Sequence, residues 1–235
     1  METAIVAGVG PGLGAALARA FAREGFAVGL LARKPDTGRE VAWEIRAAGG
    51  KAAALEVDVT ERDAVRMAVE KLRGELGAVT ALAYNASGFG RGKFLELNPD
   101  SVRAAFEVSV MGAVHLAQAV IPGMLQAGRG FISLTGATAS LRGRAGFAGF
   151  AIAKAGLRML GQSLAREFHP QGIHVVHVIV DGQIDNPRSR ARDPQRDTAT
   201  LIPPRAIADA VIAALKQPKN AWTHEFDVRP AAESF

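Results

Sequence analysis

Short apolar runs alternate with stretches of helical period along almost the whole chain. "TAIVAG" (3–8), "AVGLLA" (27–32), "KAAALEVD" (51–58), "VTALAY" (79–84), "GFISLT" (130–135) and "IHVVHVIV" (173–180) read as strands, and "WTHEFDV" (222–228) reads as a last one. Between them, helices are expected around 12–24, 37–48, 61–75, 99–126, 146–168 and 204–216. The strand runs are apolar at successive positions rather than alternate ones, as in strands covered by helices on both faces. Strands separated by helices of this length imply βαβ units with right-handed crossovers. The pattern therefore predicts an α/β fold: a doubly wound parallel sheet of seven strands in a three-layer αβα arrangement, built as one domain over 1–235. The Arg- and Pro-rich segment before 203 has no clear period and is expected to be irregular.

Composition narrows the function classes. With 235 residues the chain can bury a sizeable core, and without cysteine it has no disulfide, thiol nucleophile or thiolate metal site. No uninterrupted apolar run reaches the ~18 residues of a bilayer span. The opening "METAIVAG" enters a strand without a basic n-region, so a cytoplasmic protein with no membrane partner is expected. The net charge of +5 permits an anionic partner, but the one dense basic cluster, Arg188, Arg190, Arg192 and Arg196, is interspersed with Asp193 and Asp197. That arrangement reads first as a solvated loop, with an anionic substrate as the second reading, and no nucleic-acid partner is expected.

The loop "AGVGPGLGAAL" carries Gly8, Gly12 and Gly14, with Gly10 and Leu13 beside them, between the first strand and the first helix. Glycines there let the backbone turn sharply and approach a pyrophosphate, which the helix N-terminus stabilises. A dinucleotide cofactor is expected in a Rossmann-type fold. At the end of the second strand, a carboxylate suits the ribose hydroxyl of NAD and a cation suits the 2′-phosphate of NADP. "LLARKPD" puts Arg33 and Lys34 there, which favours NADP over NAD, and makes Asp36 the N-cap of the next helix.

Taken together, these pieces resemble the short-chain dehydrogenase/reductase family over nearly the whole length. The glycine loop is similar to that family's T-G-x-x-x-G-x-G, with Ala7 for the threonine. "LEVDVT" looks like its third-strand ending, which implies that Asp58 and Val59 meet the adenine. "YNASG" resembles its N-N-A-G, with Tyr84 for the first asparagine and Asn85, Ala86 and Ser87 following. The family's Y-x-x-x-K falls on "FAIAK", so Phe150 stands at the tyrosine and Lys154 at the lysine. Its serine falls on Ala137 and its helix-four asparagine on Ser109; its P-G after strand six becomes Asp181-Gly182, and its downstream threonine becomes Asn186. Gly182 and Ile184 are expected beside the cofactor.

In the family mechanism the tyrosine transfers a proton as hydride moves to or from nicotinamide, and the serine orients the substrate oxygen. Phe150 cannot do the first, nor Ala137 the second. Thr138 and Ser140 lie near the missing serine, and Asp181 lies at a strand end where a carboxyl can act as an acid; the plainer role for Asp181 is to bind backbone N–H groups. Lys154 retains the family's hydrogen bonds to the nicotinamide ribose. His115 is expected to face away. Three readings remain: an NADP-dependent oxidoreductase reducing imines, iminium ions or activated alkenes of a small-molecule substrate, a non-catalytic NADP-binding regulatory or scaffold protein, and a cofactor-free scaffold. The resemblance also implies a homo-oligomer, a tetramer or a dimer, with the tail "RPAAESF" reaching a neighbour.

Overall fold

The structure is a computed structural model and describes residues 1–232; the end of the tail expected to reach a neighbour lies outside the described residues. Seven strands form one parallel sheet: β1 (Thr3–Ala7), β2 (Ala27–Ala32), β3 (Ala52–Glu56), β4 (Val79–Tyr84), β5 (Gly130–Thr135), β6 (Ile173–Val180) and, last in the chain, β9 (Glu225–Val228). Their order is β3-β2-β1-β4-β5-β6-β9, so the winding reverses between β1 and β4. Ligands of such sheets bind at the carboxyl ends of the strands near that reversal.

The two-faced strands do what their composition requires. In β1, Ala4 and Val6 join a core beneath α1 (Leu13–Arg23), α2 (Asp36–Ala47) and α8 (Pro204–Leu215). Ile5 and Ala7 face the opposite core, beneath α3 (Arg62–Leu76), α5 (Gly112–Gln126) and α6 (Ala148–Phe168). Each fully buried branched aliphatic side chain contributes about 1.5–3 kcal/mol.

Four local expectations are corrected. The third and last strands are shorter than 51–58 and 222–228, and Asp36 is the first helical residue behind Pro35, with no side-chain cap bond. The helix expected at 99–126 runs as α4 (Pro99–Phe106), one π turn at Glu107–Met111, and α5. The buried Tyr84 hydroxyl donates to the Val108 carbonyl inside that turn, and an inserted side-chain donor is a known cause of such a bulge. The stretch 99–126 is long and apolar enough to cross a membrane, but half of its most apolar window is buried inside the fold, as in a core helix. Finally, the segment before 203 is ordered. Strand β7 (Gln183–Ile184) pairs with β8 (Leu201–Ile202), and α7 (Pro187–Arg192) starts at Asn186, whose side chain accepts from Ser189 N while Pro187 takes the first helical position.

Candidate functional site

A cleft of about 1330 Å³ opens over the carboxyl ends of the strands, from the end of β2 to the end of β6. The glycine loop forms its floor. Gly8 has φ +87°, and a Cβ there would meet Ala86 N at 2.4 Å, so only glycine allows the loop to close onto β4. Asn85 seals that junction, donating from Nδ2 to the Gly8 carbonyl at 2.9 Å. Gly10 differs: a Cβ there would meet nothing within 4 Å. No protein neighbour requires its lack of a side chain, but a ligand lying on the loop would.

Arg33 and Lys34 stand exposed at the β2 end of the cleft, and no carboxylate among the described residues forms a salt bridge with either. Asp58, Val59, Asn85, Ala86 and Ser87 line the same half, as do Leu13, Gly12 and Gly14. Asp58 accepts from Thr60 N at 3.0 Å and Thr60 Oγ1 at 2.8 Å, and these bonds hold its carboxyl below the usual range despite partial burial. Gly182 and Ile184 line the opposite wall, where the Asn186 Cβ comes within 3.2 Å of the position a Gly12 Cβ would take.

The deeper half contains Lys154, Phe150, Ala137 and Thr138. Lys154 is almost fully buried and donates to the Thr135 carbonyl at 2.7 Å, and burial pulls its pKa down to about 8. Phe150 stacks on Phe89, with centroids 5.0 Å apart and planes at 16°. The stack exists because the 88–92 loop lies directly on the start of α6: a Cβ on Gly149 would meet Gly90 Cα at 3.0 Å, and Phe150 N donates to Gly90 O. Phe150 thus packs, as an apolar residue should, while its ring also lines the cleft.

Asp181 lines the cleft, without the backbone N–H partners expected for its plainer role. One carboxylate oxygen accepts from the Thr138 hydroxyl, and the other pairs with Arg229 at 3.1 Å, so the bonds are to side chains rather than to backbone N–H groups. Ser109 is buried and accepts from Gly88 N at 3.1 Å, bracing the 88–92 loop rather than lining the cleft. Ser140 is also buried behind the wall. His115 bonds the Val59 carbonyl at 3.0 Å and stays out of the cleft.

Two groupings were not visible beforehand. Ser140 Oγ lies 3.3 Å from His177 Nε2, His177 Nδ1 lies 2.9 Å from Glu225, and Arg158 grips Glu225 through two hydrogen bonds. This buried chain supports the 137–140 turn from below. Burial lowers the His177 pKa to about 4, with Glu225 opposing the shift. The second grouping is Arg91, whose guanidinium lies 5.0 Å from the Phe89 ring centroid, 4.6 Å from Phe147 and 5.8 Å from Phe150. The one sequence signal for it was the close succession of Phe89 and Arg91 between glycines in "SGFGRG".

Known proteins share this fold. The family model for short chain dehydrogenase matches residues 2–196. An uncharacterized oxidoreductase of Staphylococcus saprophyticus is 29% identical over 236 residues, covering 97% of this chain and 97% of its own. Among solved structures, a short-chain dehydrogenase from Rhodopseudomonas palustris is 33% identical, with a TM-score of 0.84 over 97% of this chain and 98% of that one. A metagenomic short-chain oxidoreductase in complex with NADP is 28% identical, with a TM-score of 0.82 over 98% and 97% of the two chains. With the match extending well past half its length, the chain belongs to the short chain dehydrogenase family of NAD(P)-dependent oxidoreductases.

Proposed function

We propose that this protein is an NADP(H)-dependent oxidoreductase whose site lacks a side-chain proton donor where its family keeps the catalytic tyrosine, and that it reduces a small, activated substrate that does not need one. The observation that carries the reading is the pairing of Lys154 with Phe150. The lysine is held in the cleft, and its Nζ lies 5.8 Å from the centroid of a ring that has nothing to ionise.

The cofactor fits the residues present. Gly10 leaves open the space a side chain would fill, the start of α1 presents its N–H groups, and Arg33 and Lys34 supply the cations a 2′-phosphate calls for. Such a cofactor was bound in the metagenomic relative's structure. When bound, reduced nicotinamide supplies a hydride. Lys154 would hold the ribose hydroxyls.

The remaining side chains define what chemistry is left. Phe150 cannot give a proton and Ala137 cannot donate to a developing oxyanion. The Thr138 hydroxyl is committed to Asp181, and Asp181 to Thr138 and Arg229. Ordinary ketone reduction would lose the roughly 10²–10⁴-fold that general acid catalysis supplies. An activated alkene needs less help, because the carbanion left after hydride addition is stabilised by its conjugated group and takes its proton from water. An iminium ion needs no proton at all, but the arginine-rich cleft disfavours a cation, so the alkene is the better candidate. Copies of this single-domain chain would associate through α6, where Ile152 and Met159 are exposed two turns apart.

The test is NADPH oxidation against a panel of ketones, imines and conjugated enones, alongside thermal shifts with NADPH and NADH. Turnover of enones with little on ketones supports the proposal, and ordinary ketone turnover overturns it. Stabilisation by NADPH with no turnover anywhere would instead indicate a cofactor-binding regulatory protein.

A further inference from the structure

The substrate half of the cleft is positively charged to a degree the cofactor does not account for. Arg33 and Lys34 serve the far, adenosine end. Arg91, Arg142, Arg144, Arg188 and Arg192 line the near end, and none forms a salt bridge among the described residues. The acidic residues of the lining, Asp58 and Asp181, are both engaged elsewhere. Neighbouring arginines on the same segment behave differently: Arg190 is paired with Asp185 at 2.5 Å. Arg196, which also lines the cleft, is held by Thr200 and Gln183, so on this segment it is Arg188 and Arg192 that face the cleft without a carboxylate partner among the described residues.

Arg91 is also held in place. Its guanidinium sits against Phe89, Phe147 and Phe150, and Arg188 lies 5.7 Å from the other partner of that stack, Phe89. A guanidinium stacked on rings keeps its N–H edge available for a planar or tetrahedral anion, and its side-chain entropy is already spent. Partial burial and the charges of Arg192 and Arg188 all depress the Arg91 pKa, so the cluster repels itself when no anion is present.

We propose that the substrate carries an anionic group, a carboxylate or a phosphate, bound by Arg91 with Arg188 and Arg192, while the Phe89–Phe150 wall supports its apolar body next to Lys154. This rests on the oxidoreductase reading above, but it specifies the substrate class and is tested separately.

Calorimetric titrations of benzoate, phenyl phosphate and benzyl alcohol into NADP⁺-saturated protein separate the charge from the ring. At least one anion should bind tenfold or more tightly than the alcohol, and the tighter of the two identifies the anion type. The preference should fall at least fivefold in Arg91→Gln, with NADP⁺ affinity within about twofold of wild type, and should shrink in about 0.5 M salt. Arg188→Gln provides a second, independent variant. Equal binding of all three probes would overturn the proposal. So would an unchanged preference in both variants, or anions that bind only by displacing NADP⁺, which would assign the arginines to cofactor phosphates. Failure to bind NADP⁺ would defeat the oxidoreductase reading alone, and the same three titrations into the cofactor-free protein would still decide this one.

Discussion

The Lys154 ammonium lies 5.8 Å from the centre of the Phe150 ring and 2.7 Å from the Thr135 carbonyl, its one hydrogen-bond acceptor among the described residues. A tyrosine at 150 would keep the ring stacked on Phe89 and add a hydroxyl that the lysine could acidify. The double variant Phe150→Tyr/Ala137→Ser should therefore raise ketone-dependent NADPH oxidation by at least about tenfold, a small part of what a positioned acid is worth. Steady-state rates on a simple ketone check this, and an unchanged rate would show that the pocket has diverged beyond these two positions.

Lys154 should make cofactor affinity pH-dependent. Its folded pKa is about 8 against an ordinary 10.5, so the cation is lost as pH rises through about 8. NADPH binding, followed by fluorescence, should weaken above that pH in wild type and stay flat in Lys154→Met. The stability effect has the opposite sign. Between about 8 and 10.5 the unfolded chain holds the proton more tightly, so this group makes the fold more stable with rising pH.

Gly8 and Gly10 should separate folding from binding. Gly8→Ala forces a side chain into the Ala86 backbone at a positive φ, with a cost of at least about 1–3 kcal/mol and a lower Tm. Gly10→Ala meets no protein atom, so Tm should hold while NADPH affinity falls tenfold or more. If Gly10→Ala binds like wild type, the loop does not carry the phosphates.

Replacing Arg33 and Lys34 together with serine should shift cofactor choice. The NADPH-over-NADH affinity ratio should drop about tenfold or more, equivalent to roughly 1.4 kcal/mol or more, with NADH binding nearly unchanged.

Acid should loosen the support beneath the cleft. His177 is neutral in the fold with a pKa near 4 against an ordinary 6.5, so the unfolded chain takes up the proton first as pH falls. Its contribution is intact above about 6.5 and gone below about 4. His169 and His174, whose pKa values burial also lowers, act in the same direction. Melting curves from pH 7 to 4 should therefore fall less steeply in His177→Gln than in wild type, from a start about 1–2 kcal/mol lower at neutral pH.

What the chain discloses in advance depends on range. The strands of the sheet are legible because Ile5 and Ala7 face one core while Ala4 and Val6 face the other, so the apolar run itself carries the burial on both sides. Gly8 and Lys154 are legible because local spacing marks them, Gly8 within the glycine loop and Lys154 four residues after Phe150 on one helix, although the groups they meet, Ala86 and Thr135, are distant in sequence. The π turn was hidden because its cause, Tyr84, lies 24 positions before Val108. The Ser140–His177–Glu225 chain joins residues separated by 37 and 48 positions, and no local pattern marks such a link. The partners of the Asp181 carboxylate are illegible for the same reason: Thr138 and Arg229 come from a different turn and from the chain's last stretch. The arginines of 188–196 leave solvated charge and an anionic substrate both open in sequence, which cannot distinguish Arg190, matched to Asp185, from Arg188, which lies over Phe89.

The Asp181–Arg229 pair has a practical consequence at the bench. Asp181 N donates to the Val228 carbonyl at 2.9 Å and its side chain holds both Arg229 and Thr138, so the last strand is tied to the wall of the cleft. A substitution at Arg229, which does not itself line the cleft, therefore acts on the cleft wall through Asp181 and Thr138. Arg229 is accordingly a poor choice of neutral surface control in assays of this protein.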